Sequence, residues 1–330
     1  MTKVKTAYKK NPHVARLLVI MVLWMIFMAA TKFDKFYTFA NFKTIASQFP
    51  EFGLMSLGVM LCMTTGGNDL STVGVANFTA IICAFIMTAM GGEAGVISAA
   101  TFPLFVVVAL VIGGVIGSFN GFLVSKMRVP AMLATMGVNE LMTGISIVMT
   151  GGSAYSSFPT GVTDFIGKDL FGVLPVRLVI FVVVAVIIWF MMEKTTYGTK
   201  IRLLGTGEKV AIYSGMKTNR IFIRTYATSG MCSALGGLLM LGTYASARAD
   251  YGSQYILQSI LIVVLGGINP NGGHGKMSGV ILAMVVLKML ESGINRFPSV
   301  SSYYISLIWG GVLLFSLVLD YITGDKRSRG

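Results

Sequence analysis

The stretch Thr64-Thr65-Gly66-Gly67-Asn68-Asp69-Leu70-Ser71 is a polar, glycine-rich interruption between two apolar runs. If those runs cross a membrane, irregular backbone between them must be buried in protein or line a watery cavity. Asp69 is then an ionisable group in or near the bilayer, which is costly and marks function by default. Asn68, Asp69 and Ser71 offer both donors and acceptors, the chemistry a neutral hydroxylated solute needs. The competing reading is structural: Asp69 or Ser71 caps the following helix.

Further polar groups lie inside apolar runs. Asn120, Asn139 and Glu140 are candidates for the wall of a transport path, and Glu140 is a second intramembrane carboxylate. Lys288 and Glu291 stand three apart, the spacing of a same-face helical ion pair. Asn77, Gly113, Gly114 and Gly117 suit close helix contact rather than ligand binding. The segment from Glu193 to Arg224 is the longest polar interior stretch. Within it Thr206 or Gly207 can start, and Gly215 can end, a short helix through Tyr213. This helix is a candidate docking peg for a soluble partner, presenting Ala211, Ile212 and Gly215, with Tyr213 adding contact area. A helix lying on the membrane surface is the alternative.

What is missing narrows the chemistry. There is no phosphate-cradling G-x-x-x-x-G-K-[ST] loop, no G-x-S-x-G and no H-E-x-x-H. His13 and His274 lie in different polar segments without acidic or cysteine neighbours suited to a metal. Cys62, Cys83 and Cys232 all sit in apolar runs and read as small packing residues. We therefore expect no catalytic or metal-ligating set and no cofactor on this chain. ATP-driven work requires a partner that binds the nucleotide. The alternative energy source is an ion gradient, coupled through Asp69 or Glu140 in a secondary transporter.

The elements that must position these residues follow from composition. The chain is 55% hydrophobic and 12% charged, against about 25% charged in ordinary soluble domains. This is an all-α polytopic membrane protein by expectation. Ten spans are read, at 15–31, 47–65, 73–90, 97–124, 130–150, 176–192, 225–247, 255–268, 276–294 and 303–322. The second and eighth are interrupted by glycine, and the fourth is long enough to tilt or kink. With the N-terminus inside, interior segments hold 18 of the 26 Lys and Arg and exterior segments hold 7, with Lys288 in a span. That is the positive-inside pattern. It places both termini in the cytoplasm and explains the net charge of +13 without nucleic acid. The exterior segment 151–175 is a candidate re-entrant or surface element facing an external partner. No linker divides residues 1–330, which read as one permease domain with a cytoplasmic loop at about 193–224. Gly66-Gly67-Asn68-Asp69 is echoed by Gly266-Gly267-Ile268-Asn269, and paired breaks of this kind often mark a transport path.

Four motifs in order carry a resemblance. They are Gly66-Gly67-Asn68-Asp69-Leu70-Ser71; Val129-Pro130-Ala131-Met132-Leu133-Ala134-Thr135-Met136-Gly137; the loop from Thr196-Tyr197-Gly198 to Ser214-Gly215-Met216; and Val264-Leu265-Gly266-Gly267 with Gly272-Gly273-His274-Gly275. Over nearly the whole chain this order resembles the ribose-type permeases of bacterial ABC importers, which serve monosaccharides and autoinducer-2. The chain departs from that pattern at Asn68, at Gly205-Thr206-Gly207-Glu208 and at Lys276. The resemblance implies a permease in the bacterial inner membrane that imports a simple sugar or sugar-like solute. Its implied partners are a second permease copy or paralogue, two ATPase subunits carrying ATP and Mg, and an extracytoplasmic solute-binding protein. Thr196, Tyr197, Gly198, Gly205, Glu208, Ala211, Ser214 and Gly215 would then form the contact with the ATPase.

Overall fold

Apolar runs bounded by proline and glycine become helices in the computed structural model, which describes residues 12–92 and 95–297 together with 304, 307, 310, 311 and 314. The membrane helices are α1 (Pro12–Phe36), α2 (Phe39–Thr64), α3 (Thr72–Gly91), α4 (Phe102–Ser125), α5 (Ala131–Thr150) and α7 (Val176–Lys194). Between α5 and α7 stand the short helix α6 (Val162–Gly167) and a two-stranded hairpin, β1 (Asp169–Leu170) with β2 (Leu174–Pro175). Then come α8 (Thr196–Thr206), α9 (Glu208–Tyr213), α10 (Thr218–Tyr244), α11 (Tyr255–Leu265) and α12 (Met277–Ile294). Nine of the ten expected spans thus coincide with helices; the tenth, 303–322, and the basic residues near both termini lie largely outside the described residues.

Seven of these helices are long and apolar enough to cross a membrane. The other two expected spans differ for physical reasons. α10 is a helix of 27 residues, but it carries serines and threonines on a buried face, which lowers its hydropathy. α11 has only 11 residues, about 17 Å of helix, and cannot cross alone. The fourth span begins in a 3₁₀ turn at Ala99–Thr101, so its extra length is an irregular start rather than a kink. Proline precedes α5 and α7 and sits in the first turn of α4, where its missing N–H costs nothing.

α10 is the hub. It packs along α2, α3 and α4. Its closest seam is with α4, where Gly113 faces Gly230, Gly117 faces Tyr226 and Gly121 faces Ile223. A methyl carbon added at Gly113 or Gly117 would lie 2.2 Å from a carbonyl oxygen of α10. Small residues let these backbones approach, as expected where lipid supplies no hydrophobic drive between helices. Cys62, Cys83 and Cys232 are free and buried in the core. The outer faces of α1, α4 and α7 are apolar and exposed, as lipid-facing surfaces are.

The bundle has two distinct ends. One carries α8, α9 and the turn after α4, joined by the Arg128–Glu208 pair at 2.7 Å. The other carries the hairpin, which Lys43 of α2 pins through Asp169 at 2.6 Å and the Gly172 carbonyl at 3.0 Å. Lys288 and Glu291 pair at 2.8 Å, as their spacing predicts.

The α4–α10 seam generates a stability test. Gly117→Ala is expected to destabilise the purified protein by about 1–3 kcal/mol. Gly144→Ala adds a carbon that meets open space, and is expected to leave the melting temperature in detergent unchanged or slightly higher. Equal losses in the two variants would show that the seam does not limit stability.

Candidate functional site

The two glycine breaks are built alike. α2 ends with Gly66 at φ +84°, where the Gly67 N–H donates to the Cys62 carbonyl at 3.2 Å and the Gly66 N–H to Met63 at 3.0 Å. α11 ends with Gly267 at φ +86°, where Ile268 donates to Val263 at 3.2 Å and Gly267 to Val264 at 2.9 Å. Both are Schellman caps, which need a left-handed residue that glycine alone adopts freely. The echo read in the sequence is therefore a shared structure, shifted so that Gly66 matches Gly267. A side-chain turn follows in each: Asp69 accepts from the Ser71 N–H at 3.0 Å, and Asn269 from the Asn271 N–H at 2.9 Å.

The breaks meet at the α8–α9 end. The Gly273 N–H donates to the Thr64 carbonyl at 3.0 Å. Gly205 of α8 packs against both, so that an added carbon would lie 2.0 Å from the Thr64 oxygen and 2.4 Å from the Gly273 nitrogen. The irregular backbone is thus buried in protein, as membrane depth requires.

Above this junction lies a polar network. Asp69 is 1% exposed. Its carboxylate accepts from the Ser71 hydroxyl and from the Ser229 hydroxyl of α10, each at 2.6 Å. Asn120 of α4 donates to the Ser71 oxygen at 2.8 Å. The Tyr226 hydroxyl donates to the Asn68 carbonyl at 3.2 Å, and Thr135 of α5 accepts from the Leu70 N–H at 3.0 Å. One turn into α3, Asn139 of α5 accepts from the Gly74 N–H at 2.9 Å. The structure therefore gathers Asn68, Asp69, Ser71, Asn120 and Asn139 into one buried cluster. Ser71 precedes α3 without a side-chain cap bond, and Asp69 serves a turn and a distant helix instead. The capping reading fails in its simple form, because both side chains are spent on each other and on Ser229.

Glu140 differs. It is exposed on the outer face of α5, accepts from Asn139 alone among the described residues, at 3.2 Å, and is flanked by Gly137 and Gly144, which border open space. A carboxylate halfway along a membrane helix does not face lipid without penalty. Asn77 holds the carbonyls of Ala249 and Tyr251, at 2.8 and 2.9 Å.

The α8–α9 segment needs corrections. α9 spans the expected residues and Gly215 follows at φ +75°. Ala211, however, is fully buried, as the six-residue helix turns that side inward. Gly198 abuts the Met192 carbonyl, and Gly205 the two breaks, so neither forms an outer surface. The exposed face is Val210, Ile212 and Tyr213, the last 90% exposed. Thr196, Ser214 and Gly215 are exposed, and Glu208 is half-buried against Arg128. Tyr197 shares a hydrogen bond with Thr225 of α10 at 2.9 Å, and burial pushes its phenol up to about 12, so it stays protonated.

Sequence reasoning missed Glu51. It is buried in α2, bonded to Thr243 of α10 and 3.6 Å from Arg177 of α7. The signal was there: a carboxylate within an apolar run. Ser229, Tyr226 and Thr135 carried no such signal, being ordinary residues of apolar helices. Among the described residues no group of His, Cys, Asp and Glu is placed to hold a metal.

Residues 41–317 match the family described as Branched-chain amino acid transport system / permease component. The chain is similar to the Ribose import permease protein RbsC of Escherichia coli strain K12, at 31% identity over 310 residues, 92% of each chain. It is also similar to the Autoinducer 2 import system permease protein LsrD of the same strain, at 29% identity over 278 residues, 82% of this chain and 81% of that one.

The buried network predicts a graded response. Asp69→Ala strands the Ser71 and Ser229 donors and is expected to cost about 1–3 kcal/mol, read as a lower melting temperature. Asp69→Asn keeps an acceptor and should lose less. A melting temperature for Asp69→Ala equal to that of the unsubstituted chain would show that the carboxylate holds nothing together.

Proposed function

The chain belongs to the family of branched-chain amino acid transport system permease components, and from that premise we propose how it imports a simple sugar or sugar-like solute. It is the permease subunit of an ABC importer in the inner membrane, not an enzyme, and ATP hydrolysis belongs to a separate subunit. The two relatives named above are import permeases for ribose and for autoinducer 2, and this supports a sugar-type solute over an amino acid. The identity of that solute lies within this class.

One observation carries the mechanism: Gly205 of α8 touches both glycine breaks at backbone distance. An ATPase pressing on α9 through Val210, Ile212 and Tyr213 would move α8. Movement of α8 would shift the Thr64–Gly273 junction, and with it the Asn68–Ser71 turn. That turn is bonded to α4, α5 and α10 through Asn120, Thr135 and Ser229. The network is closed in this conformation, so Asn68, Asp69 and Ser71 meet solute only when it opens. ATP and Mg act on the partner ATPase.

Ten spans with both termini cytoplasmic fit this reading, with the α8–α9 end inside. The abundance of Lys and Arg there supports it. Glu140 and the open glycines beside it face a second permease across a shared aqueous path, because that face suits neither lipid nor a dry core. An external binding protein delivers solute to the hairpin end. Ion coupling through Asp69 finds less support, since its oxygens already accept three bonds.

Tyr213→Ala combined with Ile212→Asp changes exposed side chains only, and is expected to leave the melting temperature unchanged while abolishing ATPase co-purification and solute-stimulated ATP hydrolysis in proteoliposomes. Retention of both would place the coupling surface elsewhere. Ala211→Arg would instead unfold α9, because that side chain has no space.

A further inference from the structure

Residues 245–254, between α10 and α11, enter the bundle from the hairpin end. Asn77 of α3 bonds the carbonyls of Ala249 and Tyr251. Asn77 stands roughly 20 Å of helix short of the end of α3 at Gly91. Non-helical backbone at such depth is tolerated where it is buried or lines a water-filled cavity. Here part of it is exposed: Tyr244 is 41% exposed, and Arg248, Asp250, Ser253 and Gln254 also reach solvent. The exposed side of this loop is the bundle's mouth at the hairpin end. One turn of α3 further in, Asn139 of α5 accepts from the Gly74 N–H at 2.9 Å.

We propose that this mouth is a low-affinity recognition site for a neutral, hydroxyl-rich ring, with Tyr244 and Tyr251 as its stacking wall. The inference rests on the sugar-type reading above and adds the place where the solute is first held by the permease. The two rings lie 4.8 Å apart, tilted by 39°. Ser246 bridges them, donating to the Tyr244 carbonyl at 3.1 Å and sharing a bond with the Tyr251 hydroxyl at 2.9 Å. The Tyr244 hydroxyl also meets that of Tyr255 at 3.4 Å. Aromatic faces with polar tips offer an apolar surface to the C–H side of a sugar ring and hydrogen bonds to its hydroxyls.

The exposed charges of the loop, Arg248 and Asp250, pair with each other at 2.8 Å. The hydroxyls of a neutral ring can donate to and accept from such a pair without separating it.

The test is saturation-transfer NMR on the full chain in lipid nanodiscs, with D-ribose, D-xylose, D-galactose and L-leucine as probes at millimolar concentration. Saturation of at least one sugar is expected, and none of leucine. Tyr244→Ala and Tyr251→Ala should each weaken that sugar's binding about fivefold. Tyr244→Phe and Tyr251→Phe keep the ring and guard against misfolding; each should lose less than twofold. Undiminished sugar saturation in both alanine variants overturns the site while leaving the sugar reading intact. Saturation of leucine alone overturns both. Failure of every probe on the unsubstituted chain overturns the site.

Discussion

A single backbone hydrogen bond, from the Gly273 N–H to the Thr64 carbonyl, ties together the two places where this helical bundle is broken. In hydrocarbon an unpaired peptide group costs several kcal/mol, and this bond satisfies the Thr64 carbonyl and the Gly273 N–H on each other. Glycine at 66, 205, 272 and 273 is the condition for the approach: Gly66, Gly272 and Gly273 take left-handed backbone angles, and Gly205 leaves room for two backbones at once.

The polar network follows from that junction. Once α2 has turned at Gly66, the chain re-enters the bundle at Asp69, far from bulk water. A carboxylate there must be satisfied by donors from whichever helices are near. It is met by Ser71 from its own turn and by Ser229 from α10. The consequence is mechanical. α3, α4, α5 and α10 all hold the same short turn, so a displacement of that turn is felt by four helices together. Asp69 accepts three hydrogen bonds, two from Ser71 and one from Ser229, which makes the turn a stiff joint rather than a slack one.

At the hairpin end a second set of buried charges does a different task. Glu51 with Arg177 and Thr243 joins α2, α7 and α10, and Lys288 with Glu291 neutralises α12. Arg296 and Ser292 both donate to Asn41, joining the end of α12 to the start of α2. Arg177 and Lys288 thus offset Glu51 and Glu291, and the Arg296 charge is held on the Asn41 amide oxygen. The junction of the two breaks and these pairs are thus at opposite ends of the same helices.

The residues alone decided much of this protein. Apolar length located nine helices, and the glycine-rich polar stretch at 64–71 announced a broken segment, because both signals are local. Lys288 and Glu291 paired as read, since three residues apart on a helix leaves little choice. The bounds of α9 were legible because glycine stands just before it at 207 and just after it at 215. What only the tertiary structure decided is which way each side faces and what it meets. Ala211 turns inward and Tyr213 outward, although both suit a docking helix in sequence. Asp69 closes on Ser229, 160 positions away, and the loop after α10 dips into the bundle because Asn77 waits for its carbonyls. Such contacts depend on the packing of helices distant in the chain, and local residue order holds no record of that packing until the backbone has brought them together.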